Sequence, residues 1–82
     1  MAVNFEQLIK SIVTPLVTNP DDVLVKILSE DNDLVTIQLM VNEQDLGRII
    51  GKNGRIAHAI RTICYAGASK EGKRIQLNID AF

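Results

Sequence analysis

Two glycines separated by two polar residues, Gly51-Lys52-Asn53-Gly54, lie between two helix-like segments and constrain the fold more than any other feature. Glycine has no Cβ, so both positions permit positive φ and close approach of a second backbone. The loop also opens a helix. A helix N-terminus carries free N–H groups and the positive end of the macrodipole, and both favour an anion. Lys52 and Arg55 add mobile cations at the same place. A sugar-phosphate backbone fits such a loop, and a bulkier side chain at Gly51 or Gly54 would push it away. The pattern is short, and its simplest alternative is a helix-turn-helix corner in which Gly51 is only a C-cap.

The segments around the loop give it context. Phe5, Leu8, Ile9, Ile12, Val13, Leu16 and Val17 form an amphipathic helical stripe. Asn4 has N-cap chemistry with Gln7 at the capping-box spacing, and Pro15 should kink or end the helix near Thr14. Asn19-Pro20-Asp21-Asp22 is a stop and turn. From Val23 to Ser29 the chain alternates as a strand, with Val23, Val25 and Ile27 on one face. The acidic turn Glu30 to Asp33 leads into a second strand, Leu34 to Val41, so the two runs read as a hairpin. Asn42 looks like an N-cap with Asp45 as its partner, opening a short helix from about Glu43 to Ile49. A second helix runs from about Gly54 to Ala66, with Ile56, Ile60, Ile63 and Cys64 on one face and Gly67 as its C-cap. Lys70 to Lys73 is a loop, and Arg74 to Asp80 closes the chain as a strand. The class is α+β, with three helices on a three-stranded sheet in the order α-β-β-α-α-β.

Composition sharpens this picture. A chain of 82 residues buries roughly 60% of its unfolded surface, which suits one small domain, residues 1–82. The net charge of −1 argues against a nucleic-acid binder until it is divided. Residues 1–45 hold two cations and eight anions, a net −6, whereas residues 46–82 hold seven cations and two anions, a net +5. From Arg48 to Arg61 there are four cations and no anion, a local field that attracts phosphate. Charge runs also simply solvate a face, so the field alone does not define a site.

Other functions find little support. No apolar run approaches the roughly 20 residues of a membrane span, and Met1 to Glu6 lacks a secretory pattern, so the expected setting is the cytoplasm. One cysteine and one histidine, Cys64 and His58, are too few for a disulfide or a metal site. Cys64 reads as a buried structural thiol, and His58 as an exposed helix residue that is either simply solvated or touches phosphate. The acid clusters lack the oxygen spacing of a calcium loop, and Leu46 and Asn53 break a Walker A pattern. No nucleophile, base and orienting group assemble, so no enzyme and no cofactor are expected. Three aromatic residues, Phe5, Tyr65 and Phe82, leave little material for base-stacking platforms.

Ile50-Gly51-Lys52-Asn53-Gly54 in this element order resembles the KH domain in its type II, bacterial arrangement, over essentially the whole chain. Asn19 to Val23, Asp45 to Arg55 and Ala59-Ile60-Arg61-Thr62 are similar to the small bacterial single-KH RNA-binding proteins of the KhpA type. The resemblance implies single-stranded RNA binding, in post-transcriptional regulation or RNA chaperoning. It also implies pairing with itself or with a larger KH-containing protein of the Jag type. Carried over, Gly51, Lys52, Asn53 and Gly54 clamp the backbone of about four nucleotides. Ile49 and Ile50 supply apolar floor or core, Arg48, Arg55 and Arg61 contact phosphates, and the bases lie in a groove walled by both helices and the second strand. Ala57 departs from the large aliphatic residue of the family pattern, which leaves base preference open. A second expectation is an interaction protein whose main work is dimerisation, with RNA binding secondary.

Overall fold

Leu34 to Val41 (β2) is the middle of a three-stranded sheet, and its alternation is complete: Val35, Ile37, Leu39 and Val41 are buried while the residues between them are half-buried. In the computed structural model, residues 4–82 are described; the reading of Met1 to Val3 as part of a non-secretory N-terminus lies outside the described residues. The other elements are helix α1 (Phe5–Val13), strand β1 (Leu24–Asp31), helix α2 (Leu46–Ile50), helix α3 (Arg55–Lys70) and strand β3 (Arg74–Ala81). Single 3-10 turns cover Thr14–Leu16, Pro20–Asp22, Glu43–Asp45 and Lys52–Gly54. The sheet is mixed, with β1 antiparallel and β3 parallel to β2. A parallel neighbour needs a crossover, and α2, the glycine loop and α3 supply it.

The helices cover one face of the sheet. α1 starts at Asn4, whose Oδ1 accepts the Gln7 N–H at 3.1 Å, and it buries Phe5, Ile9 and Val13. Pro15 ends the regular helix at Val13, as its missing N–H requires, and Leu16 stands exposed rather than continuing the apolar stripe. α3 contributes Ala57, Ile60, Cys64 and Ala68 to the core. Burial pushes the Cys64 thiol pKa up, which keeps it protonated and unreactive.

Several sequence expectations need correction. The hairpin turn is two residues, Asn32 and Asp33, because Asn32 at φ 49° supplies the left-handed step that lets Glu30 and Asp31 stay in the strand. β1 carries a bulge between Ile27 and Ser29, beside Leu28, which lies on the outer face at 54% exposure. Gly67 is inside α3 and caps nothing. The helix ends one turn later, where Gly72 at φ 71° and the bonds Gly72 N–H to Ser69 O and Lys73 N–H to Ala68 O form a Schellman cap. Ile63 is 46% exposed, since the buried stripe runs through Ala57, Ile60, Cys64 and Ala68 and passes Ile63 by. Small residues there let α3 approach its neighbours closely, so Ala57 is a core residue at 4% exposure.

Candidate nucleic-acid interface

The loop is set by backbone conformation. Gly51 has φ 74° and ψ 176°, a region open essentially to glycine alone. A Cβ at Gly51 would also lie 2.7 Å from Cγ1 of Ile56. Gly51 therefore faces inward, where α2 packs against α3, and its small size serves that packing. Gly54 differs. It is left-handed at φ 75° and ψ 15°, and a Cβ there would meet nothing within 4 Å. Only Gly54 has the open space that the sequence reading assigns to both glycines. Asn53 is left-handed too, at φ 57°, a conformation that asparagine tolerates better than most residues.

Two backbone donors at the entrance to α3 are already engaged. The Gly54 N–H donates to Gly51 O at 3.2 Å, and the Arg55 N–H donates to Lys52 O. The helix entrance thus offers fewer free donors than the sequence suggests, and its attraction for an anion rests more on the macrodipole and the side chains. Arg48, Lys52, Asn53 and Arg55 are all exposed. Ile49 is fully buried and Ile50 is exposed, so the first belongs to the core and the second to the surface beside the loop.

Arg61 stands apart. It lies six residues beyond Arg55 on α3. Its Nε and Nη2 donate to the backbone carbonyl of Leu77 at 3.3 and 3.2 Å. That carbonyl belongs to β3, the edge of the sheet. Arg61 is committed to a backbone carbonyl of the edge strand, away from the loop. α2 packs against α3, and α3 packs on β3.

The residue that sequence reasoning misplaces is Asp45. It is not a capping partner for Asn42, whose Oδ1 instead accepts the Gln44 N–H at 2.8 Å. Asp45 is fully buried and accepts four hydrogen bonds. Oδ1 takes Thr18 N–H at 2.9 Å and Thr18 Oγ1–H at 2.8 Å. Oδ2 takes Asn19 N–H at 3.0 Å and Asn19 Nδ2–H at 3.1 Å. The Thr18 backbone bond is the largest cause that lowers the Asp45 pKa from 3.8 to about 2; burial opposes it, and the remaining bonds from Thr18 and Asn19 add to the lowering. Asn42 Nδ2 also donates to Asp22 Oδ2 at 3.0 Å. These bonds clasp the segment after α1 to the start of α2, one turn before the loop. Nothing in the sequence signals this burial, since Asp45 follows Asn42, Glu43 and Gln44 and its partners lie 26 and 27 residues away.

Among the described residues, no helix is long and apolar enough to cross a membrane, and no group of three His, Cys, Asp or Glu side chains could hold a metal.

The sequence profile described as KhpA/KhpB, KH domain, matches residues 6–79. The RNA-binding protein KhpA of Listeria monocytogenes serovar 1/2a is 53% identical over 74 residues, covering 90% of this chain and 96% of that protein. The RNA-binding protein KhpA of Bacillus subtilis strain 168 is 43% identical over 76 residues, covering 93% of each. Among solved structures, Aquifex aeolicus Era bound to GDP and AlF4− superimposes with a TM-score of 0.70 at 18% identity, over 95% of this chain and 30% of that one. Era in complex with a GTP analogue and 16S ribosomal RNA nucleotides gives 0.62 at 20% identity, over 94% and 29%. At such identities the Era likeness concerns the fold alone, and it agrees with a type II KH arrangement.

Proposed function

The chain belongs to the KhpA/KhpB family of KH domains, and we propose that it is a non-catalytic, cytoplasmic protein that holds single-stranded RNA at the Gly51–Gly54 loop. In this reading residues 1–82 act as one KH domain. The relatives named RNA-binding proteins support the ligand class. The observation that carries the site is the loop with Lys52 and Asn53 exposed, open space beside Gly54, and exposed cations at Arg48 and Arg55 on either side. The loop takes the backbone of about four nucleotides, and an apolar surface with backbone hydrogen bonds serves the bases without a row of aromatic rings. Arg48, Lys52 and Arg55 take the phosphates, Ile50 borders the bases, and Arg61 has a structural task instead.

One loop reads few nucleotides, so pairing two copies, or one copy with a larger KH-containing protein of the Jag type, raises affinity through avidity. The outward-facing Ile63 on α3 supports such a contact. The work so organised is post-transcriptional regulation or RNA chaperoning.

The test is a double substitution, Lys52→Asp with Asn53→Asp. Aspartate tolerates the left-handed step at position 53, so the loop keeps its shape while its charge reverses. With three phosphate contacts, wild-type affinity should fall with salt at a log–log slope of about −2. The variant should lose binding by fluorescence anisotropy with an unchanged circular dichroism spectrum. Unimpaired binding by the folded variant would sink the proposal.

A further inference from the structure

We infer that the outer strip of α3 leads from the loop to a second RNA contact, a base-stacking site at Tyr65; the inference rests on the RNA reading given above. At about 100° per residue, Arg55, His58, Thr62, Tyr65 and Ser69 fall on one strip of the helix. All five are exposed. No acidic residue occurs from Leu46 to Lys70, so nothing on α3 repels a strand of phosphates leaving the loop. At the far end of the strip, Tyr65 and Ser69 join Lys73, Arg74 and Ile75 around a concavity of about 330 Å3. Tyr65 is 46% exposed, whereas Ile75 is buried. An open aromatic ring beside an aliphatic wall and two cations is what an unpaired base and its phosphate require.

The neighbouring acids decide which force dominates there. The Arg74 N–H donates to the carbonyl of Asp33, which brings the hairpin turn with Asp31 and Asp33 alongside. Glu71 lies between Lys70 and Lys73 in the chain. Charge at this end is close to balanced, so the contact draws on stacking rather than on net charge. The loop end, with Arg48, Lys52 and Arg55, draws on charge. The two ends should therefore respond differently to salt.

Length provides the test. Tyr65 lies ten residues beyond Arg55, about 15 Å along the helix axis. That equals four to five nucleotides at about 3.4 Å each in a stacked strand. A 6-nucleotide oligoadenylate occupies the loop and stops short of Tyr65, whereas a 12-nucleotide one passes it. Anisotropy titrations of wild type, Tyr65→Ala and Tyr65→Phe with both lengths, at low and high salt, separate the two contacts. Tyr65→Ala should bind the 12-mer about tenfold more weakly than wild type, the size expected for one stacked base, and bind the 6-mer as wild type does. Tyr65→Phe should retain the gain, and the gain should survive high salt. Equal length dependence in wild type and Tyr65→Ala overturns the inference. So does weakening at both lengths, or an altered sedimentation profile for Tyr65→Ala, because Tyr65 would then act through folding or chain pairing. Failure of wild type to bind the 6-mer instead removes the loop reading, and this inference with it.

Discussion

The two ends of α2 handle charge in opposite ways. At the N-terminal end, Asp45 is fully buried and its carboxylate is saturated by Thr18 and Asn19. At the C-terminal end, six residues on, the glycine loop is bordered by exposed cations with no buried charge among them. The difference separates two tasks. A buried, fully hydrogen-bonded carboxylate fixes where α2 begins, because any movement would leave its charge buried without the donors that satisfy it. Exposed lysine and arginine side chains keep their hydration and mobility, so they can follow a phosphate without a prior commitment to one geometry. The clasp holds the start of α2 in place, and the loop beyond it is where RNA is proposed to bind.

Breaking the clasp should have the largest effect. Asp45→Ala removes the acceptor of four hydrogen bonds from Thr18 and Asn19, and the melting temperature should fall by several degrees in calorimetry. The same contact predicts the acid response. The folded pKa is depressed to about 2 from 3.8, so its stabilisation is fully present above about pH 4 and is lost as pH falls toward 2. An Asp45→Asn chain should lack that acid transition, which a pH series of thermal melts will reveal.

The two glycines sharpen the comparison at the other end of α2. Gly51→Ala combines a glycine-only conformation with a Cβ pressed on Ile56, and should cost about 3 kcal/mol in urea unfolding. Gly54→Ala has room for its methyl group and should cost only about 1 kcal/mol, the left-handed penalty alone. Its larger effect should be on RNA affinity, since the open side of the loop would be filled. Equal stability losses at the two positions would contradict the inward and outward division of labour.

The smallest effects distinguish two arginines that look alike in the sequence. Arg61→Ala should lower stability by about 1 kcal/mol through the lost bonds to Leu77 and leave RNA affinity unchanged. Arg55→Ala should leave stability unchanged and weaken RNA binding several-fold, with a shallower salt slope. Titration of each variant alongside urea melts checks both halves.

Much of this arrangement is legible in the residues. Strict alternation from Leu34 to Val41 marks the central strand, and the glycine spacing with its flanking helices marks the loop. The Phe5 to Val13 stripe marks the first helix, with Pro15 ending it. Long-range and cancelling effects are not legible. Asn42 and Asp45 have a local capping spacing, and nothing in the sequence shows that the acid is satisfied by Thr18 and Asn19 instead. Ile56, Ile60, Ile63 and Cys64 read as one helical face, and Ile60 and Cys64 are buried as read, yet close packing adds Ala57 and Ala68 to the buried stripe and leaves Ile63 outside. Gly67 and Gly72 both follow a helical run, and only the left-handed φ of Gly72 identifies the cap. Arg48, Arg55 and Arg61 form one basic run in the sequence, but the turn of α3 sends Arg61 to the β3 edge.

The most direct measurement of the central claim is a map of backbone amide chemical shifts as a short single-stranded RNA is added. If the loop holds the strand, the largest changes will centre on Arg48 to His58, with the outer face of the sheet, from Lys26 through Gln38 to Asn78, left unmoved. Shifts concentrated on that sheet face, with Gly51 to Gly54 silent, would contradict the account.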